Sequence, residues 1–195
     1  MIRGLFGGSF DPVHNGHVAM VRHVLTQRLV DHVVVVPARR SPLKDGTGAP
    51  AADRLEMVRL ALAGLGGVTV DPREITRPGA SWTIETLRAL TTEHPQDAWR
   101  LVVGADNLAD FPRWREPEAL LALAELLVMP RRGMALLRPV GCAPERFHVA
   151  DGFDHPVSST GIRAKLGRGE LPVGDLPAVV VAHIRARGLY GVRRP

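Results

Sequence analysis

Between an apolar stretch at 2–6 and a helical pattern beginning near residue 16, the chain reads Gly7-Gly8-Ser9-Phe10-Asp11-Pro12-Val13-His14-Asn15-Gly16-His17. Glycines let the backbone approach a ligand closely, and a helix N-terminus offers N–H groups and a partial positive charge. A chain of phosphates suits both features. His14 and His17 stand three apart across the helix start, so both imidazoles can lean toward one ligand. Such rings donate hydrogen bonds to phosphate oxygens and stabilise developing negative charge without acting as nucleophiles. The plainer alternative is a tight turn whose histidines only cap the helix. Other phosphate motifs fail on spacing: Gly4, Gly7 and Gly8 do not form G-x-G-x-x-G, and no G-K-[ST] occurs. A zinc pair also fails, because the zincin spacing is i, i+4 with an intervening Glu and no third ligand is evident.

A second candidate lies far along the chain, at Ser158-Ser159-Thr160-Gly161-Ile162-Arg163, where a C-terminal helix is expected to begin. Arg163 follows Thr160 by three residues, so hydroxyl, backbone amides and guanidinium share one face, as a polyphosphate requires. Standing alone, the segment would read equally as an N-capped surface helix with a solvated arginine.

The first segment, Gly-Gly-Ser-Phe-Asp-Pro-x-His-x-Gly-His, resembles the ATP-binding signature of the nucleotidylyltransferase superfamily, and residues 158–163 resemble its Ser-Ser/Thr-x-x-Arg segment. Three further stretches resemble those of bacterial nicotinate-nucleotide adenylyltransferases. They are Ser81-Trp82-Thr83-Ile84-Glu85-Thr86-Leu87, Gly104-Ala105-Asp106-Asn107-Leu108 with Phe111-Pro112-x-Trp114, and Leu176-Pro177 through Ile184 to Gly188-Leu189-Tyr190. Together they run in the family's order over nearly the whole chain.

The resemblance implies a Rossmann-like fold and transfer of AMP from ATP to nicotinate mononucleotide, giving nicotinate adenine dinucleotide and pyrophosphate. It implies an ATP site at Gly7, Gly8, Ser9, Phe10, Gly16, His17, Gly104, Asp106, Ser158, Ser159, Thr160 and Arg163. His14, His17, Lys44 and Arg163 would carry the catalysis. Arg39, Lys44, Trp82, Thr83 and Trp114 would receive the acceptor, with Trp114 stacking on the pyridine ring. Asp106 would meet ribose hydroxyls, or else cap the following helix. Mg²⁺ is expected to arrive on ATP rather than in a protein cage, with Asp11 either touching it through water or serving only as a turn residue. Arg54 matches a family arginine, though pairing along a helix surface would explain it equally. The loop after Pro37 departs from the family: Arg39 stands where asparagine is usual and Leu43 where histidine is usual, while Trp82 replaces a tyrosine. These departures leave nicotinamide mononucleotide, or another phosphorylated acceptor, as alternatives within the same chemistry. A non-catalytic nucleotide-binding module is the alternative from another class.

Elements must position these residues, and the pattern supplies them. Strands are expected at 2–6, 33–36, 68–70, 100–103, 126–129 and 146–149. Helices are expected at 16–29, 52–64, 83–92, as a pair across 105–123, and at 160–166 and 175–187. Alternation of this kind predicts an α/β architecture, an open and mainly parallel Rossmann-like sheet with helices on both faces and a small C-terminal helical segment. Ligands then belong beyond the strand ends after residues 6, 37, 104 and 130. We expect one nucleotidyltransferase domain over residues 1–195, with the segment at about 158–190 completing the ATP site.

Composition narrows the partners. Only Lys44 and Lys165 among the 25 basic residues are lysines, and arginines are scattered along the chain. With a net charge of +5 but 5% aromatics and no basic block, the balance suits anionic small molecules better than nucleic acid. Apolar runs such as Val33–Val36 are too short for a bilayer, and residues 1–6 lack a signal-peptide pattern, so a cytoplasmic location is expected. One cysteine, Cys142, excludes an intrachain disulfide framework and a multi-thiolate metal site. Nothing in the pattern sets an oligomeric state.

Overall fold

The computed structural model describes residues 1–40 and 48–194. Among the described residues, six strands form one parallel sheet: β1 (Ile2–Gly8), β2 (His32–Pro37), β3 (Val68–Val70), β4 (Ala98–Gly104), β5 (Glu125–Met129) and β6 (Phe147–Val149). Their spatial order is β3-β2-β1-β4-β5-β6. From β1 the chain winds outward through β2 and β3, then returns to the other side of β1 at β4. The reversal leaves a crevice beyond the carboxyl ends of β1 and β4, where doubly wound sheets bind ligands.

Side chains alternate across a strand, so each inner strand feeds two cores. Phe6, Val33, Val35, Val102 and Leu127 bury on one face, and Leu5, Val34, Val36, Leu101 and Leu126 on the other. The first face is covered by α1 (Asn15–Thr26), α2 (Ala51–Leu62), α7 (Ser159–Gly167) and α8 (Ala178–Arg187), through Val21, Val24, Met57, Val58, Ile162 and Ile184. The second is covered by α4 (Thr83–Glu93) and α6 (Pro117–Leu123), through Ile84, Leu87, Leu90, Leu120 and Leu121. The α/β class and the placing of helices on both faces agree with expectation. Among the described residues, no helix is long and apolar enough to cross a membrane.

Boundaries differ where local chemistry intervenes. The first helix ends at Thr26 rather than near Leu29, because Arg28 turns into left-handed conformation (φ 53°) and returns Leu29 and Val30 to the core. The last helix starts at Ala178 instead of Asp175, since Pro177 is extended and disfavours helix in the residue before it. The expected helix pair is a short α5 (Ala105–Leu108), a 3-10 turn at Phe111–Arg113, and α6. A single helical turn, α3 (Arg73–Thr76), was not expected; four residues after Pro72 leave no periodic trace.

Candidate active site

His14 is the N-cap of α1, and it is locked to His17 by a reciprocal pair of bonds. The His17 backbone N–H donates to His14 Nδ1 at 3.3 Å, and the His14 backbone N–H donates to His17 Nδ1 at 3.2 Å. The rings stack with centroids 3.7 Å apart. The capping reading of this loop is therefore realised in these two side chains. An Nδ1 that accepts a backbone N–H carries no proton, so each neutral ring holds its proton on Nε2 as a donor. Burial, reinforced by nearby His155 and Arg131, lowers the His14 pKa from 6.5 to about 3. His14 is thus a neutral donor at physiological pH.

Phe10, expected against ATP, is itself buried, and its ring stands edge-on to His17 at 5.0 Å and to Phe6 at 5.3 Å. Its contribution is to back the His17 ring. Gly16 is fixed by crowding, since a Cβ there would meet the His14 ring at 3.0 Å and His155 Nδ1 at 3.1 Å.

The late segment reaches the early one directly. Ser158 caps α7 by accepting the Gly161 N–H at 3.1 Å. Ser159 Oγ donates to the Pro12 carbonyl at 3.0 Å, and Arg163 donates to the Asp11 carbonyl at 2.7 Å. Residues 152 positions apart are thus one hydrogen bond apart in space. A cleft of about 420 Å³ lies between the two segments, walled by Gly7, Gly8, His14, His17, Thr160 and Arg163. Ser9, Phe10, Gly16, Gly104, Asp106, Ser158 and Ser159 also border it. Two further cleft-lining residues were missed by sequence reading. Arg131 follows β5, where the strand-end rule pointed, whereas His155 is a single histidine in irregular chain and left no signal.

Several expectations need correction. Asp11 borders the cleft with its carboxylate already engaged: Gly48 N–H (2.6 Å), Ala49 N–H (3.1 Å) and the Tyr190 hydroxyl (2.7 Å) all donate to it. Burial and this carboxylate push the Tyr190 hydroxyl far up, so it stays protonated. Asp106 does not cap α5; it stands half-exposed at the cleft rim, 3.8 Å from Arg131. Arg54 makes no surface pair. It is fully buried and donates to the carbonyls of Ala49 (3.2 Å), Ser9 (2.6 Å), Ala38 (2.6 Å) and Arg39 (2.8 Å). One guanidinium thereby ties the loop after β1 to the loop after β2.

A second cavity adjoins the first, sharing Gly7, Gly8, Ser9, Gly104 and Asn107 with it. Trp82, Thr83 and Trp114 line this cavity. Trp114 leans on buried Phe111 (5.3 Å between rings), and the Arg115 guanidinium lies 5.2 Å over Trp82. The uncapped N-terminus of α4 opens onto the same wall. Trp99, by contrast, is a core residue at 3% exposure. Arg39 does not line the cavity: Ser81 and Arg54 hold its backbone, and its guanidinium donates to the Arg77 carbonyl at 3.4 Å. Lys44 and Leu43 lie outside the described residues.

The chain matches a family model described as cytidylyltransferase-like over residues 5–165. It is similar to a "Probable nicotinate-nucleotide adenylyltransferase" of Rhodopirellula baltica, at 45% identity over 97% of this chain and 94% of that one. A protein of the same description from Gloeobacter violaceus is 39% identical over 97% of this chain and 96% of its own length. Among solved structures, Plasmodium falciparum nicotinic acid mononucleotide adenylyltransferase complexed with NaAD shares the fold, with a TM-score of 0.81 at 17% identity and 98% coverage of both chains. A match of that length to the family model, with relatives this similar from end to end, makes the chain a member of the cytidylyltransferase-like nucleotidyltransferases and, among them, of the nicotinate-nucleotide adenylyltransferase family.

Proposed function

We propose that the enzyme transfers the AMP moiety of ATP to nicotinate mononucleotide, giving nicotinate adenine dinucleotide and pyrophosphate. The observation that carries this reading is the pair of adjoining cavities. One is bounded by the histidine loop and the Arg163 segment, the other by two tryptophans, and they meet at the glycines ending β1 and β4. The relatives' shared description and a fold neighbour complexed with NaAD support the acceptor.

An acceptor phosphate oxygen attacks the α-phosphorus of ATP, forming one P–O bond as the bond to the bridging α–β oxygen breaks. Such transfers ask the protein for alignment and charge stabilisation rather than covalent chemistry. His17 Nε2–H and the N-terminus of α1 hold the α- and β-phosphates as charge builds on the bridging oxygen. Arg163 and Lys44 neutralise the departing pyrophosphate and the incoming phosphate, and His14 donates a hydrogen bond to them as a neutral ring. Trp114 stacks on the pyridine ring, with Trp82 and Thr83 enclosing it. Mg²⁺ comes bound to ATP, held mainly by phosphate oxygens and water, since Asp11 is engaged by three donors. On this reading residues 1–195 work as one domain, and the helical segment at about 158–190 completes the ATP site. The reaction fits a cytoplasmic setting, with its ATP supply and reduced thiols.

A pyrophosphate-release assay with nicotinate mononucleotide, nicotinamide mononucleotide and phosphopantetheine tests the assignment. Nicotinate mononucleotide is expected to give the highest kcat/KM. Trp114→Ala is expected to raise the acceptor KM by about ten- to hundredfold, the range for losing one stacked base. A change in ATP affinity alone would show that the wrong cavity has been given to the acceptor.

A further inference from the structure

Under the tryptophan-lined cavity lies a carboxyl group that the mechanism above does not use. Glu74, on the single turn α3, borders the cavity yet is only 7% exposed. The Thr86 hydroxyl donates to Glu74 Oε1 at 2.5 Å, and the Ser81 hydroxyl donates to the same carboxyl group. These two partners flank the start of α4: Ser81 immediately precedes its N-cap, Trp82, and Thr86 lies in its first turn. Ser81 works in both directions, because its Oγ also accepts the Arg39 backbone N–H at 2.9 Å. The chain of bonds therefore runs from the exit of β2 through Ser81 to Glu74, and on to the first turn of α4.

We propose that Glu74 is a positioning residue for the acceptor: by taking up the Ser81 and Thr86 hydroxyls together, it fixes Trp82, Thr83 and the N-terminus of α4 against the loop leaving β2. This rests on assigning the tryptophan-lined cavity to the acceptor. The helix start has no side-chain cap of its own, so nothing local sets the direction of its first amides. Glu74 supplies that constraint from outside the helix. Burial raises the pKa of its carboxyl group, opposed by the bonds from Thr86 and Ser81. Those bonds keep both hydroxyls directed inward, away from substrate.

The test compares wild type with Glu74→Ala, Glu74→Gln and Thr86→Val in the pyrophosphate-release assay, measuring the KM for each substrate on whichever mononucleotide the wild type adenylylates. Glu74→Ala is expected to raise the acceptor KM about tenfold, as for orphaned buried hydroxyls, while the KM for ATP moves less than about twofold. Glu74→Gln, which keeps an acceptor oxygen for Thr86, is expected to recover part of the loss. Unchanged acceptor KM, or equal rises for both substrates, overturns the proposal. Should Glu74→Ala lack a cooperative melting transition, Thr86→Val and Ser81→Ala carry the same comparison, and no split between the two KM values again overturns it. A wild type that turns over another mononucleotide but not nicotinate mononucleotide removes the acceptor assignment while leaving the Glu74 split to be read. A wild type inert with every acceptor removes both.

Discussion

Replacing His17 with alanine is expected to lower kcat by about two to three powers of ten at saturating substrates, the loss typical of one preorganised donor to a developing oxyanion. The expectation follows from the local geometry. His17 Nδ1 is committed to the His14 backbone N–H, which leaves Nε2–H as the donor of the neutral ring. Phe10 backs the ring edge-on and the stacked His14 limits its tilt, so little reorganisation accompanies the reaction. His17→Ala also removes half of the reciprocal cap, which costs about 1 kcal/mol of stability. His17→Asn separates the two effects, since its side-chain oxygen can accept the His14 N–H without reproducing the imidazole donor. Both variants are expected to lose kcat alike, with His17→Asn the more stable on thermal melting. A folded His17→Ala enzyme with wild-type kcat would refute the assigned role.

Arg54→Met is expected to lower stability by about 3 kcal/mol or more, the loss seen when one partner of a buried charged cluster is removed. In a chain of this size that is a fall in Tm of roughly 6–12 °C. Methionine fills much of the volume but offers no donor, so the carbonyls of Ser9, Ala38, Ala49 and Arg39 lose a shared partner. Burial already pulls the Arg54 pKa down, opposed by the Asp11 carboxylate, so the charge is tolerated only because it is fully ligated. Arg54→Lys should not rescue, because a compact ammonium cannot span four carbonyls as a planar fork does. Activity should fall along with stability, since the same carbonyls set the loops that enter both cavities. A melting temperature within about a degree of wild type would contradict the clamp.

The sheet was legible because its strands announce themselves: Val33–Val36 is apolar on both faces, which only a doubly covered parallel strand demands. The cleft proposed for ATP could be located from sequence because the residues that line it cluster in two short segments, each at a helix start. What escaped was whatever depends on a distant partner. Arg54 looks like an ordinary helix-surface arginine until the loops after β1 and β2 are folded over it. Asp11 looks like a turn residue or a metal contact until Tyr190, 179 residues away, donates to it. His155 and Glu74 lie in a coil and a single helical turn, where no periodicity marks a position as facing inward. The position of Arg39 depends on distant partners too, since Ser81, Arg54 and Arg77 hold it.

The meeting of the histidine loop with the Arg163 segment is the element on which the proposed ATP site depends. Calorimetric titration of Mg-ATP into wild type, His17→Ala, Arg163→Ala and the double variant measures it directly. Each single substitution is expected to weaken binding about tenfold, and the double variant to depart from the sum by more than about 0.5 kcal/mol, because both groups act on one ligand. Wild-type affinity in a folded Arg163→Ala protein would mean that the two segments touch each other without sharing a triphosphate.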